Sequence, residues 1–119
     1  MARITLYGIA NCDTVKRARA WLDGQGQACD FHDFKKAGVP VPELDRWLAE
    51  AGWQALLNRK GTTWRKLDDA QRDAVHDAAS ARALMLAQPS VIKRPVLRWA
   101  DGHITVGFDP ADWEQRLRS

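Results

Sequence analysis

An apolar strand, Ile4-Thr5-Leu6-Tyr7, runs through Gly8-Ile9-Ala10-Asn11-Cys12 into a helix read from about Thr14 to Leu22. Val15, Ala18 and Leu22 fall on one face of that helix, and Lys16, Arg17 and Arg19 take the other. Gly24-Gln25-Gly26 then breaks the chain, and a second strand follows over about Ala28 to Phe34. This βαβ unit is the strongest constraint on the fold. It commits the amino-terminal part of the chain to a sheet with a helix packed on it.

The same unit places one cysteine at the mouth of a basic helix. Asn11 reads as the N-cap, which puts Cys12 in or just before the first turn. There the free backbone amides and the positive end of the helix dipole favour thiolate over thiol, and nearby cations favour it further. Helical side chains lean toward the amino terminus, so Lys16, one turn on, is within reach of the sulfur. The competing reading is a structural cysteine packed as a small hydrophobe. The polar and basic residues around Cys12 argue against it.

The middle of the chain reads as helical. Pro42 suits a first helical position and Glu43 a first turn, with Leu44, Trp47, Leu48 and Ala51 at three-four spacing before Gly52. A second short helix carries Trp53, Leu56 and Leu57 and ends at Asn58-Arg59-Lys60-Gly61. A polar helix follows over about Asp69 to Ala78, then another over Ala81 to Ala87, capped by Ser80 and halted before Pro89. Strands resume over Val91 to Trp99 and Ile104 to Phe108, around an Asp101-Gly102 turn, and Asp109-Pro110 opens a last helix with Trp113 and Leu117.

Pro95 interrupts the apolar run Val91 to Leu97, where a proline is costly unless the strand lies at an edge, at a bulge or at a special bend. A cis peptide fits such a bend. The order βαβ, several helices, ββα, with Cys12 after the first strand, is an α/β plan of thioredoxin-like type with an all-helical insertion. Folds of that type place a cis-proline beside the active cysteine.

With 119 residues and 45% hydrophobic content, the expected organisation is one domain over 1–119 with the helical insertion at about 40–88. A net charge of +3 suits an anionic small substrate and is weak evidence for nucleic acid. No apolar run is long enough to span a bilayer. Two cysteines, Cys12 and Cys29, and no leader-like segment point to a reducing cytoplasm, not to a disulfide framework. Cys29, His32 and His76 are scattered ligands with no close pair, so no metal is expected. Trp47, Trp53 and Trp113 recur with helical apolar neighbours and read as core, whereas Trp64, beside Arg59, Lys60 and Lys66, reads as a surface for a protein or nucleic-acid partner.

Three segments, Tyr7 to Ala18, Leu56 to Leu67 and Ile92 to Val96, together resemble the arsenate reductase-like family that includes the Spx regulators, and most of all its small YffB-type branch. The likeness spans essentially the whole length. It implies a thiolate nucleophile at Cys12, glutathione as the resolving thiol with no tightly bound cofactor, and oxyanion-holding arginines at Arg59 and Arg94, the latter just before the cis-proline Pro95. Guanidinium groups suit that task, since they keep their charge and offer paired donors to tetrahedral oxyanions and carboxylates. The alternative for Arg59 is a helix-end charge, worth tenths of a kcal/mol to about 1.

Two departures shape the expected activity. The family's arsenate reductases carry a further arginine downstream of the cis-proline, and Gly107-Phe108-Asp109-Pro110 offers none. Redox-active Spx proteins carry a second cysteine three residues after the first, where this chain has Val15. The leading expectation is therefore a glutathione-dependent thiol–disulfide reductase. In it Cys12 is the nucleophile, and Asn11, Lys16, Arg59, Arg94 and Pro95 hold glutathione or substrate. Arsenate reduction by the same thiolate is the second reading. A non-catalytic Spx-like regulator that binds RNA polymerase is the third. A monomer is the default state.

Overall fold

The computed structural model describes residues 3–118. Strand β1 (Ile4–Gly8) leads to helix α1 (Asp13–Gly24) and strand β2 (Cys29–Asp33). A run of short helices follows: α2 (Phe34–Ala37), α3 (Val41–Ala51), α4 (Trp53–Leu56), α5 (Thr62–Lys66), α6 (Asp69–Asp73) and α7 (Ala78–Ala87). Strands β3 (Val96–Arg98) and β4 (Ile104–Val106) and helix α8 (Pro110–Arg118) close the fold. No helix among the described residues is long and apolar enough to cross a membrane.

The sheet order is β2-β1-β3-β4. β1 and β2 run parallel, from Ile4 opposite Cys29 to Gly8 opposite Asp33, while β3 is antiparallel to both β1 and β4. Alternation along the inner strands splits the core in two. Ile4, Leu6 and Leu97 face α1 and α8, meeting Val15, Ala18, Leu22 and Trp113. Tyr7, Ile9 and Val96 face the other way, toward Leu44 and Trp47 of α3, Leu56 of α4, and Ala81 and Met85 of α7. Each fully buried aliphatic side chain of this kind contributes about 1.5–3 kcal/mol of transfer free energy.

Several sequence-based boundaries move, each for a local reason. The second strand stops at Asp33 because the Asp33 side chain accepts the Lys35 N–H at 2.9 Å and starts α2, which buries Phe34 beside Trp47. The last insertion helix begins at Ala78, since Asp77, not Ser80, is its cap. Asp77 Oδ1 accepts the Ser80 N–H at 2.8 Å and Ser80 Oγ accepts the Asp77 N–H at 3.1 Å. The preceding helix ends at Asp73, short of Ala78, and is capped by a box between Asp68 and Gln71. Thr62–Lys66 is helical, a stretch to which the sequence reading assigns no element.

The strand expected over Val91 to Trp99 is reduced to Val96–Arg98. Pro89–Val91 forms a 3-10 turn, and Pro95 has no N–H to give a ladder. The Arg94–Pro95 peptide bond is cis. β4 stops at Val106 because Gly107 turns the chain with φ of 90°, and the Gly107 N–H donates to the Pro95 carbonyl at 2.8 Å.

Candidate active site

Two sequence segments distant along the chain are sewn together outside the four-stranded sheet, ahead of β3. Leu57 and Ile92 form an antiparallel bridge, flanked by Asn58 N–H to the Val91 carbonyl at 2.8 Å and Lys93 N–H to the Leu56 carbonyl at 2.7 Å. This clip brings residues 56–58 alongside residues 91–93, directly ahead of Pro95. Asn58, Lys93 and Arg94 consequently line one cavity with Cys12 and Thr14 from the start of α1 and residues 106–109 from the end of β4. Its volume is about 410 Å³.

Cys12, and not Asn11, is the N-cap of α1, with extended φ and ψ of −109° and 125°. The turn before it is fixed by the Cys12 N–H donating to the Ile9 carbonyl at 3.2 Å. Gly8 lets α1 approach the strand, because a Cβ there would lie 2.8 Å from Val15 Cγ2. Partly buried, Cys12 packs against both core clusters.

Burial pushes the Cys12 thiol upward, and that effect is outweighed. The Val15 N–H, the Arg94 guanidinium and the Thr14 N–H together bring the pKa below the ordinary thiol value. The Val15 and Thr14 amides at the start of α1 are the backbone donors that favour the charged sulfur. Arg94 is itself held in place, its Nη1 donating to the carbonyls of Ser90 at 2.7 Å and Ile92 at 3.1 Å. Its buried Nε–H meets no protein nitrogen or oxygen acceptor.

The remaining sequence candidates are placed differently. Lys16 Nζ donates to Asn11 Oδ1 at 3.5 Å on the exposed side of the turn, and neither residue lines the cavity. Arg59 follows the lining residue Asn58 but lies over the Trp53 ring, 5.6 Å from its centroid, exposed and outside the cavity. Pro95 is buried beneath the site, with its carbonyl engaged by Gly107. Trp64 packs partly buried against the larger core cluster. Asn58 and Lys93 were missed by sequence reasoning. Adjacency to Arg94 was the available signal for Lys93, whereas Asn58 required the clip.

Cys29 belongs to another part of the molecule. It pairs opposite Ile4, while Cys12 follows Gly8, so the length of β1, about 13 Å at about 3.3 Å per residue, lies between them. A disulfide needs Cα atoms within about 7 Å. Both thiols are free, and burial raises the pKa of Cys29 above the ordinary value. Cys29, His32 and His76 do not converge: among the described residues no group of three or more His, Cys, Asp or Glu is placed to hold a metal.

Comparison with known proteins gives a consistent result. The sequence profile of the ArsC family matches residues 7–116. An uncharacterised protein of Haemophilus influenzae is 35% identical over 93% of this chain and 96% of its own length. Among solved structures, the YFFB protein is 55% identical, with a TM-score of 0.87 over 94% of this chain and 96% of that one. An arsenate reductase-related protein of Brucella melitensis is 54% identical, with a TM-score of 0.75 over 98% of this chain and 96% of that one.

Proposed function

The chain belongs to the ArsC family, and from that premise we propose that it is a glutathione-dependent thiol–disulfide reductase working through Cys12 alone. The observation that carries the proposal is the isolated thiol of Cys12 at the N-cap of α1, its pKa lowered and its sulfur facing a cavity beside Arg94. No second cysteine is in reach to close an internal disulfide, since Val15 occupies the place one turn on and Cys29 lies at the far end of β1. Release of the enzyme therefore needs an external thiol.

The chemistry balances in two exchanges. The Cys12 thiolate attacks the glutathione sulfur of a mixed disulfide, forming a Cys12–glutathione disulfide and expelling the substrate thiolate, which takes up a proton. A glutathione thiolate then attacks that bond, giving oxidised glutathione and restoring the Cys12 thiolate. The substrate sulfur is reduced to a thiol and the incoming glutathione thiol is oxidised, while the glutathione sulfur of the mixed disulfide passes unchanged in oxidation level into oxidised glutathione. Arg94 and the amides of Thr14 and Val15 stabilise the thiolate both as nucleophile and as leaving group. Asn11, Lys16 and Arg59 stand outside the cavity, where an extended peptide substrate meets them.

The arsenate reading shares the nucleophile and is supported by the pair of cations, Lys93 and Arg94, on the cavity wall. Against it, the stretch Gly107-Phe108-Asp109-Pro110 supplies no further arginine to hold a doubly charged oxyanion. A glutathione-coupled turnover assay decides between them. The native protein and Cys12→Ser are compared on a glutathionylated substrate and on arsenate. The proposal requires turnover on the mixed disulfide that vanishes in the variant. Preferential turnover of arsenate, or mixed-disulfide turnover that survives in Cys12→Ser, refutes it.

A further inference from the structure

Lys93 and Arg94 are neighbours in sequence and line the same cavity, yet they are held in opposite ways. Arg94 is fixed through two carbonyl hydrogen bonds and directed at the sulfur. Lys93 has its backbone pinned by the Leu56 carbonyl at 2.7 Å, while its side chain is exposed and no hydrogen bond or ion pair among the described residues engages its ammonium. Asp109 does not neutralise it. No ion pair joins the two, and Asp109 Oδ1 instead accepts the Asp112 N–H at 3.3 Å as the cap of α8.

Gly107 explains where the lysine stem lies. A Cβ at that position would come 3.3 Å from Lys93 Cε and 3.8 Å from Nζ, so the side chain runs across bare backbone at the cavity wall. The positive φ of Gly107 favours glycine there independently. The result is an exposed ammonium beside a guanidinium fixed by two carbonyls.

We propose that Lys93 is a specificity-determining residue of this cavity, holding the carboxylate or other anionic group of the molecule that reacts with Cys12, while Arg94 serves the sulfur. The inference rests on the reading of Cys12 as the reactive group. Two charges separated by roughly 6 Å in a partly solvated cleft, at an effective dielectric of roughly 40–80, change a rate by about threefold to tenfold at low salt. The advantage fades as the Debye length shortens to about 3 Å at 1 M salt.

Alkylation of Cys12 by iodoacetate and by neutral iodoacetamide, followed on its peptide by mass spectrometry, tests the proposal without any enzymatic substrate. In both reactions a sulfur–carbon bond forms and iodide leaves, so the ratio of rates isolates the response to the reagent's charge. In Lys93→Met the iodoacetate rate should fall about threefold to tenfold while the iodoacetamide rate holds. Lys93→Arg should keep the native ratio, and high salt should bring the native ratio to that of Lys93→Met. An unchanged ratio in Lys93→Met overturns the proposal, as does an equal fall with both reagents, which would make Lys93 a partner of the thiolate. A native Cys12 inert to both reagents refutes the reactive-thiol reading itself, and is recognised without any variant.

Discussion

Replacing Gly8 by alanine probes the one contact that fixes the distance between the first strand and the helix that carries the site. The new Cβ would sit 2.8 Å from Val15 Cγ2, against an ordinary carbon–carbon separation of about 3.5–4.0 Å, a shortfall of roughly 0.7 Å or more. Val15 cannot swing aside: it is fully buried at the third position of α1, where one χ1 rotamer dominates for valine. The helix must move instead, at a cost of about 1–3 kcal/mol, which lowers a urea midpoint by roughly 1 M for a domain of this size. The movement carries the Thr14 and Val15 amides away from the sulfur, so the Cys12 pKa returns toward the ordinary thiol value. Val15→Ala alone opens a cavity and costs about 1–3 kcal/mol. In the double variant the clash is gone, and the coupling energy should be about 1–2 kcal/mol in the relieving direction. Urea titrations of the four proteins, with thiolate absorbance followed against pH, measure both effects. A neutral Gly8→Ala, or strict additivity in the double variant, would refute the reasoning.

Arg94→Met should raise the Cys12 pKa and slow iodoacetamide alkylation at neutral pH, since the guanidinium favours the charged sulfur; an unshifted pH profile would contradict this. The two thiols also pull stability in opposite directions with pH. Cys12, lowered on folding, stabilises the fold above its folded pKa, and that contribution grows toward the ordinary thiol value of about 8.5 and is lost on acidification. Cys29, raised on folding, contributes stability below the ordinary value that is lost as pH rises through its folded pKa. Urea titrations from neutral to mildly alkaline pH should therefore show stability rising in Cys29→Ser and falling in Cys12→Ser. Trp113→Ala should cost about 3–5 kcal/mol, because Trp113 is fully buried against Trp99, Phe108 and Trp21, and chemical denaturation reads that loss directly.

Much of the architecture was legible because the βαβ unit and the terminal ββα unit carry strong local patterns. Val15, Ala18 and Leu22 mark the buried face of α1, and Asp101-Gly102 marks the turn between β3 and β4. The insertion was read less well. Some of its helices start at side-chain caps, as where Asp77 and Ser80, three residues apart, are both candidates and only the geometry chooses. At the site, Cys12 was singled out by the helix start that follows it and Arg94 by the family resemblance, and the structure brings both to one cavity. Lys93 had only its adjacency to Arg94 as a signal, and Asn58 depends on the clip between Leu57 and Ile92, a non-local pairing with no periodic signal. Arg59 shows the converse. Its residue type suited an anion clamp, and the structure places its guanidinium over the Trp53 ring, outside the cavity.

If Cys12 alone carries the exchange, incubating the native protein with oxidised glutathione, quenching with acid and mapping the adduct by peptide mass should find glutathione on the Cys12 peptide, removed by added glutathione, with Cys29 unmodified. Modification of Cys29 in preference to Cys12, or no adduct on either thiol, would contradict it.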